Sequence, residues 1–452
     1  MTPTDKDFWF VPLGGCGEIG MNLNLYGHAG HWLMVDCGIT FERMPAGGNR
    51  VEMPDPLFIA NRSDKLVGLI ATHAHEDHIG AIAHLWEQLR CPIYTTAFTR
   101  QVLIRKLRQR GIDAPVYCVA AGDTLQLGPF EVRWIPITHS TPETNALLLS
   151  TDVGRVLHTA DWKLDAAPVV GPAVVPEDFL RLGQLGIDSI VCDSTNATQS
   201  GHSLSESELF EDLLLTVRES RGRVVIACFA SNVARLQTLA HVAHVSGRYL
   251  GLLGRSLHNM AACARAAGYL NDYFSPVAAG DLGYLPPEEV LLVATGSQGE
   301  SGAALQRLAM GTHPDISLGA GDHVVFSAKT IPGNEAEVER LVSQLESQEI
   351  KVTHADSSLL ALHASGHPCA EELQQMYRWV LPRIAVPVHG EPRHMKCNAA
   401  IAKAASVPFQ LLGLNGDCFD LVNGRIKRAA APVGRLWFDE NKQRLEKVSE
   451  PC

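Results

Sequence analysis

Between Ile70 and Gly80 the chain reads Ile-Ala-Thr-His73-Ala-His75-Glu-Asp77-His78-Ile-Gly, with three imidazoles and two carboxylates inside six residues. The apolar run Leu66 to Ala71 before it predicts a buried strand. Ile79, Ile82, Ala83, Trp86 and Leu89 after it recur at helical spacing and predict a helix starting at or near His78. His-x-His-x-Asp-His on a tight strand-to-helix turn can aim two imidazoles at one cation and an Asp–His pair at a second, about 3.5–4 Å away. Neutral imidazole with carboxylate suits Zn2+, and Mn2+ falls within the same range.

Other polar residues stand in matching places. The predicted strands Trp32 to Val35, Phe130 to Thr138, Val153 to Thr159, Ser189 to Cys192 and Ile384 to Val388 run into Asp36, His139, Asp161, Asp193 and His389. With His73, these lie just past the carboxyl ends of short apolar strands, where layered α/β folds gather their ligands. Together they describe one polar rim. Asp36, before Cys37-Gly38, suits a residue that orients a ligand imidazole.

Gly14-Gly-Cys-Gly-Glu-Ile-Gly20 contains the spacing of a dinucleotide-binding loop. The segments after it, Met21 to Tyr26 and His31 to Val35, alternate as a hairpin and open no helix, so the run reads as a glycine turn beside the metal residues. From about residue 203 the pattern changes. Ser205-Glu-Ser-Glu208 is a capping box opening a helix to about Ser220. Strands then alternate with helices: Val224 to Phe229 with a helix from Val233, Leu291 to Ala294 with a helix from Gly302, and Val324 to Ser327 with a helix from Glu335. This alternation predicts a separate parallel sheet. His389 lies beyond it, so the block is an insertion. The predicted organisation is one domain in two parts, 1–202 and 353–430, a second domain over 203–352, and a polar tail over 431–452.

A chain of 452 residues has room for both domains. The net charge of −11 argues against coating nucleic acid by bulk electrostatics, though not against a local basic channel. Arg100, Arg105, Lys106, Arg108 and Arg110 form the densest basic run, on a predicted helix. No apolar run reaches the roughly 18 residues of a membrane span, and the N-terminus lacks the basic-then-apolar order of a signal peptide. The 11 cysteines are scattered, odd in number and without Cys-x-x-Cys, which fits reduced thiols in a cytoplasmic protein.

The His73–His78 motif with His139, Asp161 and His389 resembles the metallo-β-lactamase fold, an αββα sandwich of the α/β class. The inserted block, flanked by Asp193, His367 and His389, resembles the β-CASP nucleases. Gly14 to Gly20, Asp193-Ser-Thr-Asn196, Phe229-Ala-Ser-Asn232, Thr295-Gly-Ser-Gln-Gly-Glu300, Ile331-Pro-Gly-Asn-Glu335 and His363-Ala-Ser-Gly-His367 are similar to bacterial ribonuclease J, over roughly residues 8–430.

The resemblance implies a metal-dependent ribonuclease with two Zn2+ (or Mn2+) per chain. His73, His75 and His139 would hold one ion; Asp77, His78 and His389 the other; Asp161 would bridge. Asp77 is thereby catalytic as well as a ligand. Asp193 and His367 are the candidates to protonate the departing 3′ oxygen, a task for which imidazole is suited. Ser231, Asn232 and Val233, with His363, Ala364, Ser365, Gly366 and His367, are implied to cradle a nucleotide phosphate, including a 5′-monophosphate end. By residue type alone, both turns also read as plain helix caps. The implied activity is 5′→3′ exonuclease action on single-stranded RNA, with internal cleavage, in RNA processing and mRNA decay. Two departures qualify it. Ala234 stands where the family pattern tends to have His, removing an RNA contact. The chain also ends at Cys452 without the family's usual small C-terminal domain, which weakens an expected homodimer. The alternatives are a β-CASP enzyme that prefers DNA or only cuts internally, and a small-molecule hydrolase on the same scaffold. The inserted block and the His363–His367 turn count against the last, because a small substrate needs neither.

Overall fold

The structure, a computed structural model, describes residues 1–44, 49–270, 273–331, 333–439 and 442–448. Among them the strands form four sheets. In the first, Arg425–Lys427, Cys418–Asp420, Trp9–Gly14, Leu23–His28, His31–Val35, Leu66–Ile70, Ile93–Thr95 and Val116–Cys118 lie side by side in that order. In the second the order is Phe409–Gln410, Ile384–Val388, Ser189–Asp193, Gly154–His158, Asn145–Thr151, Phe130–Pro136 and Thr124–Leu127. Period-two alternation turns these sheets toward each other: Phe130, Val132 and Trp134 are buried while Glu131 and Arg133 between them are exposed. Phe8, Phe10, Tyr26, Leu33 and Val35 from one sheet meet Phe130, Trp134, Leu147, Val191 and Val386 from the other in one core. Helices Ile82–Leu89 and Ala97–Gln109 cover the outer face of the first sheet. Pro176–Leu185, Ala370–Val380 and Pro392–Ala404 cover that of the second. The result is an αββα sandwich. Each large apolar side chain in this interior contributes about 1.5–3 kcal/mol, against under about 1 kcal/mol for an exposed ion pair. The core therefore decides where the strand ends stand.

The third sheet is wholly parallel, in the order Tyr249–Leu253, Val290–Ala294, Val224–Ala227, His323–Phe326 and Lys351–His354. Val224–Ala227 and Val290–Ala294 are buried along their whole length, as expected for strands with apolar cores on both faces. The chain enters this lobe after Ser189–Asp193 and leaves it before Ile384–Val388, and those two strands pair in parallel. The lobe is thus an insertion between neighbouring strands of the sandwich. Met21–Val35 is the hairpin its alternation predicts, with a register shift at Pro12/Gly14 where the glycine turn begins.

Three details differ from expectation. The helix after the histidine cluster begins at Glu76, with His75 as its cap, and breaks before Ile82. The neighbouring loop causes the break: Cys37 N–H donates to His78 O, and Ala81 N–H donates to Cys37 O, so both leave the helical pattern. Second, the stretch expected as a tail carries the strands Arg435–Asp439 and Arg444–Lys447. These build the fourth sheet with Asn49–Pro54 and Thr40–Arg43. Glu440, Asn441 and residues 449–452 of that stretch, and Pro332 of the Ile331–Glu335 motif, lie outside the described residues. Third, Tyr249–Leu253, Lys351–His354 and the helix Arg255–Ala266 add to the alternation read from sequence. No helix among the described residues is long and apolar enough to cross a membrane. The ten described cysteines are free.

Candidate metal centre

The sandwich brings Asp36, His73, His139, Asp161, Asp193 and His389 to one end of the paired sheets. His75 Nδ1 is the meeting point of one group, 3.1 Å from His73 Nε2 and 3.0 Å from His139 Nε2. The outward nitrogens are engaged elsewhere. His139 Nδ1 donates to Gly366 O at 2.6 Å, so its Nε2 presents a lone pair. The Thr72 hydroxyl donates to the Asp36 carboxylate and lies 3.0 Å from His73 Nδ1, whose proton it accepts. Two lone pairs thus converge on a third ring nitrogen with too few protons to satisfy them. Burial, then the neighbouring imidazoles, holds His73 and His139 well below the usual range, and burial pushes His75 down to about 4. Neutral imidazole is the ligand form, so this set fits a borderline cation such as Zn2+.

The adjoining group is different in kind. His78 Nε2 lies 3.1 Å from Asp161 Oδ2 and 3.5 Å from Asp77 Oδ2. His389 Nε2 lies 3.2 Å from Asp77 Oδ2, and its Nδ1 3.2 Å from Asp161 Oδ1. Burial works against charge on both imidazoles, but Asp161, with Asp77 and Asp36 at His78 and with Asp193 and Asp77 at His389, holds their protons on well above the usual range. Burial would likewise raise Asp77 and Asp161; the imidazolium neighbours outweigh it and keep both ionised. Asp161 belongs to both groups, standing 3.9 Å from His73 Nε2 and from His139 Nε2. In each group, one ligand atom per residue falls within 4.8 Å of the others. A cation there would replace the shared protons.

The scaffold beneath is tightly specified. Asp36, fully buried, accepts from Thr72 N–H at 2.8 Å and from His78 Nδ1 at 2.7 Å. A Cβ at Gly38 would come within 1.7 Å of Asp77 O, so only glycine allows the Asp36–Gly38 loop to seat against the histidine turn. Asp36, Ala160 and His389 all adopt positive φ (64°, 52° and 50°). Such backbone costs about 1–3 kcal/mol per residue and is tolerated where the surroundings over-determine it.

A further pair stands beside both groups. His367 Nδ1 lies 2.7 Å from Asp193 Oδ2 and 3.9 Å from Asp161 Oδ2. Burial opposes protonation of His367, and Asp193 and Asp161 raise its pKa despite this. Asp161, Asp193, His367 and His389 form a third set of potential ligand atoms. Thr195 Oγ1 joins it, donating to Asp193 Oδ1 at 2.8 Å and lying 3.0 Å from His389 Nδ1.

The turn 363–367 therefore reaches the centre through Gly366 and His367. A Cβ at Gly366 would lie 2.6 Å from the His139 ring. Ser365 Oγ is beside them, accepting from Asn196 Nδ2 at 2.7 Å. Ala364 is buried in the core of the parallel lobe, and burial, then Arg235, pushes His363 down to about 3. Ser231, Asn232 and Val233 open the helix Val233–Ser246. Asn232 caps it by accepting from Arg235 N–H at 2.9 Å and also donates to Glu206 at 3.1 Å. Val233 is fully buried, as is nearly all of Ala234. The basic run lies on Ala97–Gln109: Lys106 pairs with Glu76 at 2.5 Å, and Arg110 stacks 4.3 Å over Phe438.

Sequence reasoning missed Thr72, Ser140, the orienting carbonyl of Gly366, and Asn22, whose Nδ2 lies 3.1 Å from His78 Nε2. Thr195 lay within a motif already noticed. A backbone carbonyl leaves no residue-type signal.

Family models match three stretches: Metallo-beta-lactamase superfamily at 21–187, Ribonuclease J, beta-CASP domain at 221–345, and Zn-dependent metallo-hydrolase RNA specificity domain at 360–406. A protein of Sinorhizobium meliloti named Ribonuclease J is 40% identical over 442 residues, covering 96% of this chain and 78% of that protein. One of Mycolicibacterium smegmatis with the same name is 39% identical, covering 94% and 77%. One of Helicobacter pylori J99, also so named, is 34% identical, covering 96% and 63%. A crystal structure of an Enterococcus faecalis V583 protein of unknown function superposes with a TM-score of 0.63 at 16% identity, covering 91% of this chain and 99% of that one. That likeness bears on the fold.

Proposed function

Because this chain belongs to the ribonuclease J family, we propose that it hydrolyses phosphodiester bonds of single-stranded RNA, as a 5′→3′ exonuclease favouring 5′-monophosphate ends and cutting internally as well. The αββα sandwich is its metallo-β-lactamase domain, and the parallel-sheet lobe is the inserted β-CASP domain. The observation that carries the reading is the pair of His/Asp sets sharing Asp161, beside the His367–Asp193 pair, whose histidine lies on the RNA-specificity segment.

In this reading His73, His75 and His139 hold one divalent cation, Asp77, His78 and His389 hold the second, and Asp161 serves both. When bound, two such ions, Zn2+ or Mn2+, would supply positive charge for the phosphoryl oxygens and would lower the pKa of a water from about 15.7 to about 7. The chain's own groups do the rest. Asp36, the Gly366 carbonyl and Thr72 fix the ring orientation of His78, His139 and His73, keeping the ligand nitrogens aimed inward. Asp193 is completely enclosed and ionised, and orients His367 through Nδ1. His367 Nε2–H is then the proton donor to the departing 3′ oxygen. The turns at Ser231–Val233 and His363–His367 seat the terminal nucleotide's phosphate, which sets a register of one nucleotide per cut. The protein acts in the cytoplasm, in RNA processing and mRNA decay.

The test is a digest of end-labelled RNA bearing 5′-monophosphate, 5′-triphosphate or 5′-hydroxyl ends, alongside single-stranded DNA. Mononucleotides released first from the 5′-monophosphate RNA are expected. A preference for DNA, or internal cuts alone, would overturn the substrate or the direction.

A further inference from the structure

A cavity of about 570 Å³ opens where the helices on the outer face of the first sheet meet the small fourth sheet. None of the metal-centre residues lines it. Lys106 and Arg110 do, from the end of Ala97–Gln109 and the residue that follows it. Four positions apart, they share one helix face, where two like charges repel each other. His84, on the helix Ile82–Leu89, and Phe438, on the strand Arg435–Asp439, stand across from them.

The contacts around the cavity fix the donor pattern of its wall. The Arg110 guanidinium stacks 4.3 Å over the Phe438 ring, and His84 meets that ring edge-on at 5.2 Å. Arg110 Nη2 donates to His84 Nε2 at 3.0 Å. A guanidinium has no lone pair to offer and keeps its protons, so His84 Nε2 is the acceptor and the ring proton sits on Nδ1. That Nδ1–H is enclosed and finds no acceptor in the protein. Burial, then Arg110 and Lys106, pushes His84 down to about 4, which keeps the ring in this neutral form. An ammonium, a guanidinium and an imidazole N–H thus surround one space with donors. Among the described residues no carboxylate lines it, although the chain carries a net charge of −11. The nearest is Glu76, which pairs with Lys106 at 2.5 Å from the side. Its other oxygen lies over Gly80 at the cavity edge, 2.8 Å from where a Cβ would stand.

Two cations one helical turn apart, in a cavity of the volume that small-molecule sites have, suit an anion whose acceptor oxygens are spread over two centres. We propose that this cavity binds a diphosphate group, free or carried by a nucleotide, with Lys106 and Arg110 as its charged ligands and Glu76 as the carboxylate it displaces. The site is independent of the ribonuclease reading, since no residue that holds the anion serves the metal centre. A single phosphate engages one of the two cations at a time and binds more weakly.

The experiment is calorimetric titration of the full chain with sodium pyrophosphate, ADP and inorganic phosphate, repeated on Arg110→Gln, Lys106→Gln and Glu76→Gln. Arg110→Gln leaves the metal centre intact, so any anion seated at the metals binds it as it binds the parent. Each lost charge-assisted contact is expected to weaken pyrophosphate about 10-fold, with an unchanged melting temperature and, in Arg110→Gln, unchanged RNA hydrolysis. Glu76→Gln removes the competitor for Lys106 and should tighten pyrophosphate about 3-fold or more, a gain that misfolding does not produce. ADP binding more tightly than pyrophosphate identifies a nucleotide as the occupant; equal affinity identifies the diphosphate alone. Equal pyrophosphate affinity in the parent, Arg110→Gln and Lys106→Gln, or no binding by the parent, would overturn the site while leaving the ribonuclease reading untouched. Inorganic phosphate binding as tightly as pyrophosphate would overturn the two-centre ligand.

Discussion

The two halves of the metal centre are built from the same residue types and are held in opposite states. Around His75 the imidazoles are crowded together, short of carboxylates and driven neutral. Around His78 and His389 they are interleaved with Asp77 and Asp161 and held protonated, as buried ion pairs. Histidine count therefore says little about a site's charge; the carboxylates between the rings decide it. One half is poised to accept a cation, and the other must exchange protons for one.

Among the described residues Asp161 is the single side chain common to both halves, so its loss should have the largest effect. Asp161→Asn is expected to lower RNA hydrolysis by about 10³-fold or more and to reduce bound metal in both sets, read by elemental analysis of the purified protein. Loss of metal from one set alone would mean that the halves do not share it.

The next contrast concerns the His75 half only. Gly366→Ala places a methyl group against the His139 ring, where a Cβ would sit 2.6 Å away. A displacement of about 1 Å costs on the order of 10²-fold in rate, with the His78 half undisturbed. Unchanged activity would show that the turn is free to recede.

Asp36 addresses the other half. Asp36→Asn weakens the grip on His78 Nδ1, and the expected loss is about 10- to 100-fold in metal affinity, measured by competition with a chelator. If affinity at the His75 set fell equally, the two halves would be coupled through Thr72, which Asp36 also holds.

The smallest effect is a control from outside the centre. Burial, and then Lys351, pushes His323 in the parallel lobe down to about 4, while its ring bridges Ser220 Oγ at 2.8 Å and Thr353 Oγ1 at 2.9 Å. The unfolded chain takes up this proton near pH 6.5, so between pH 6.5 and about 4 it binds more protons than the folded one and stability falls as pH falls. His323→Gln should remove about one proton from the uptake on acid unfolding. An unchanged slope would show that the ring is already charged in the folded protein.

Much of this was legible in the residues themselves, for identifiable reasons. A donor cluster at consecutive strand ends announces itself by type and place, so His73 to His78, His139, Asp161 and His389 stand out in the bare sequence. The buried runs of the parallel lobe were equally plain because continuous Val, Ile and Leu admit few alternatives. What escaped depended on distant partners. Arg435–Asp439 becomes a strand only because Asn49–Pro54 offers an edge to it, and the helix break before Ile82 exists because Cys37 captures the peptide groups. Asn232 shows the opposite limit: its capping bond is what its type suggests, and a role toward substrate has to come from elsewhere.

Because His389 follows a strand seated beside Ser189–Asp193 and is numbered after the whole inserted lobe, the cluster stays incomplete while that lobe is being synthesised. A nascent polypeptide on the ribosome displays His73 to His78 early but lacks their last companion until every strand of the lobe has emerged. The set of ligand atoms around Asp77 and His78 is thus closed by a residue that is made only after the whole inserted lobe.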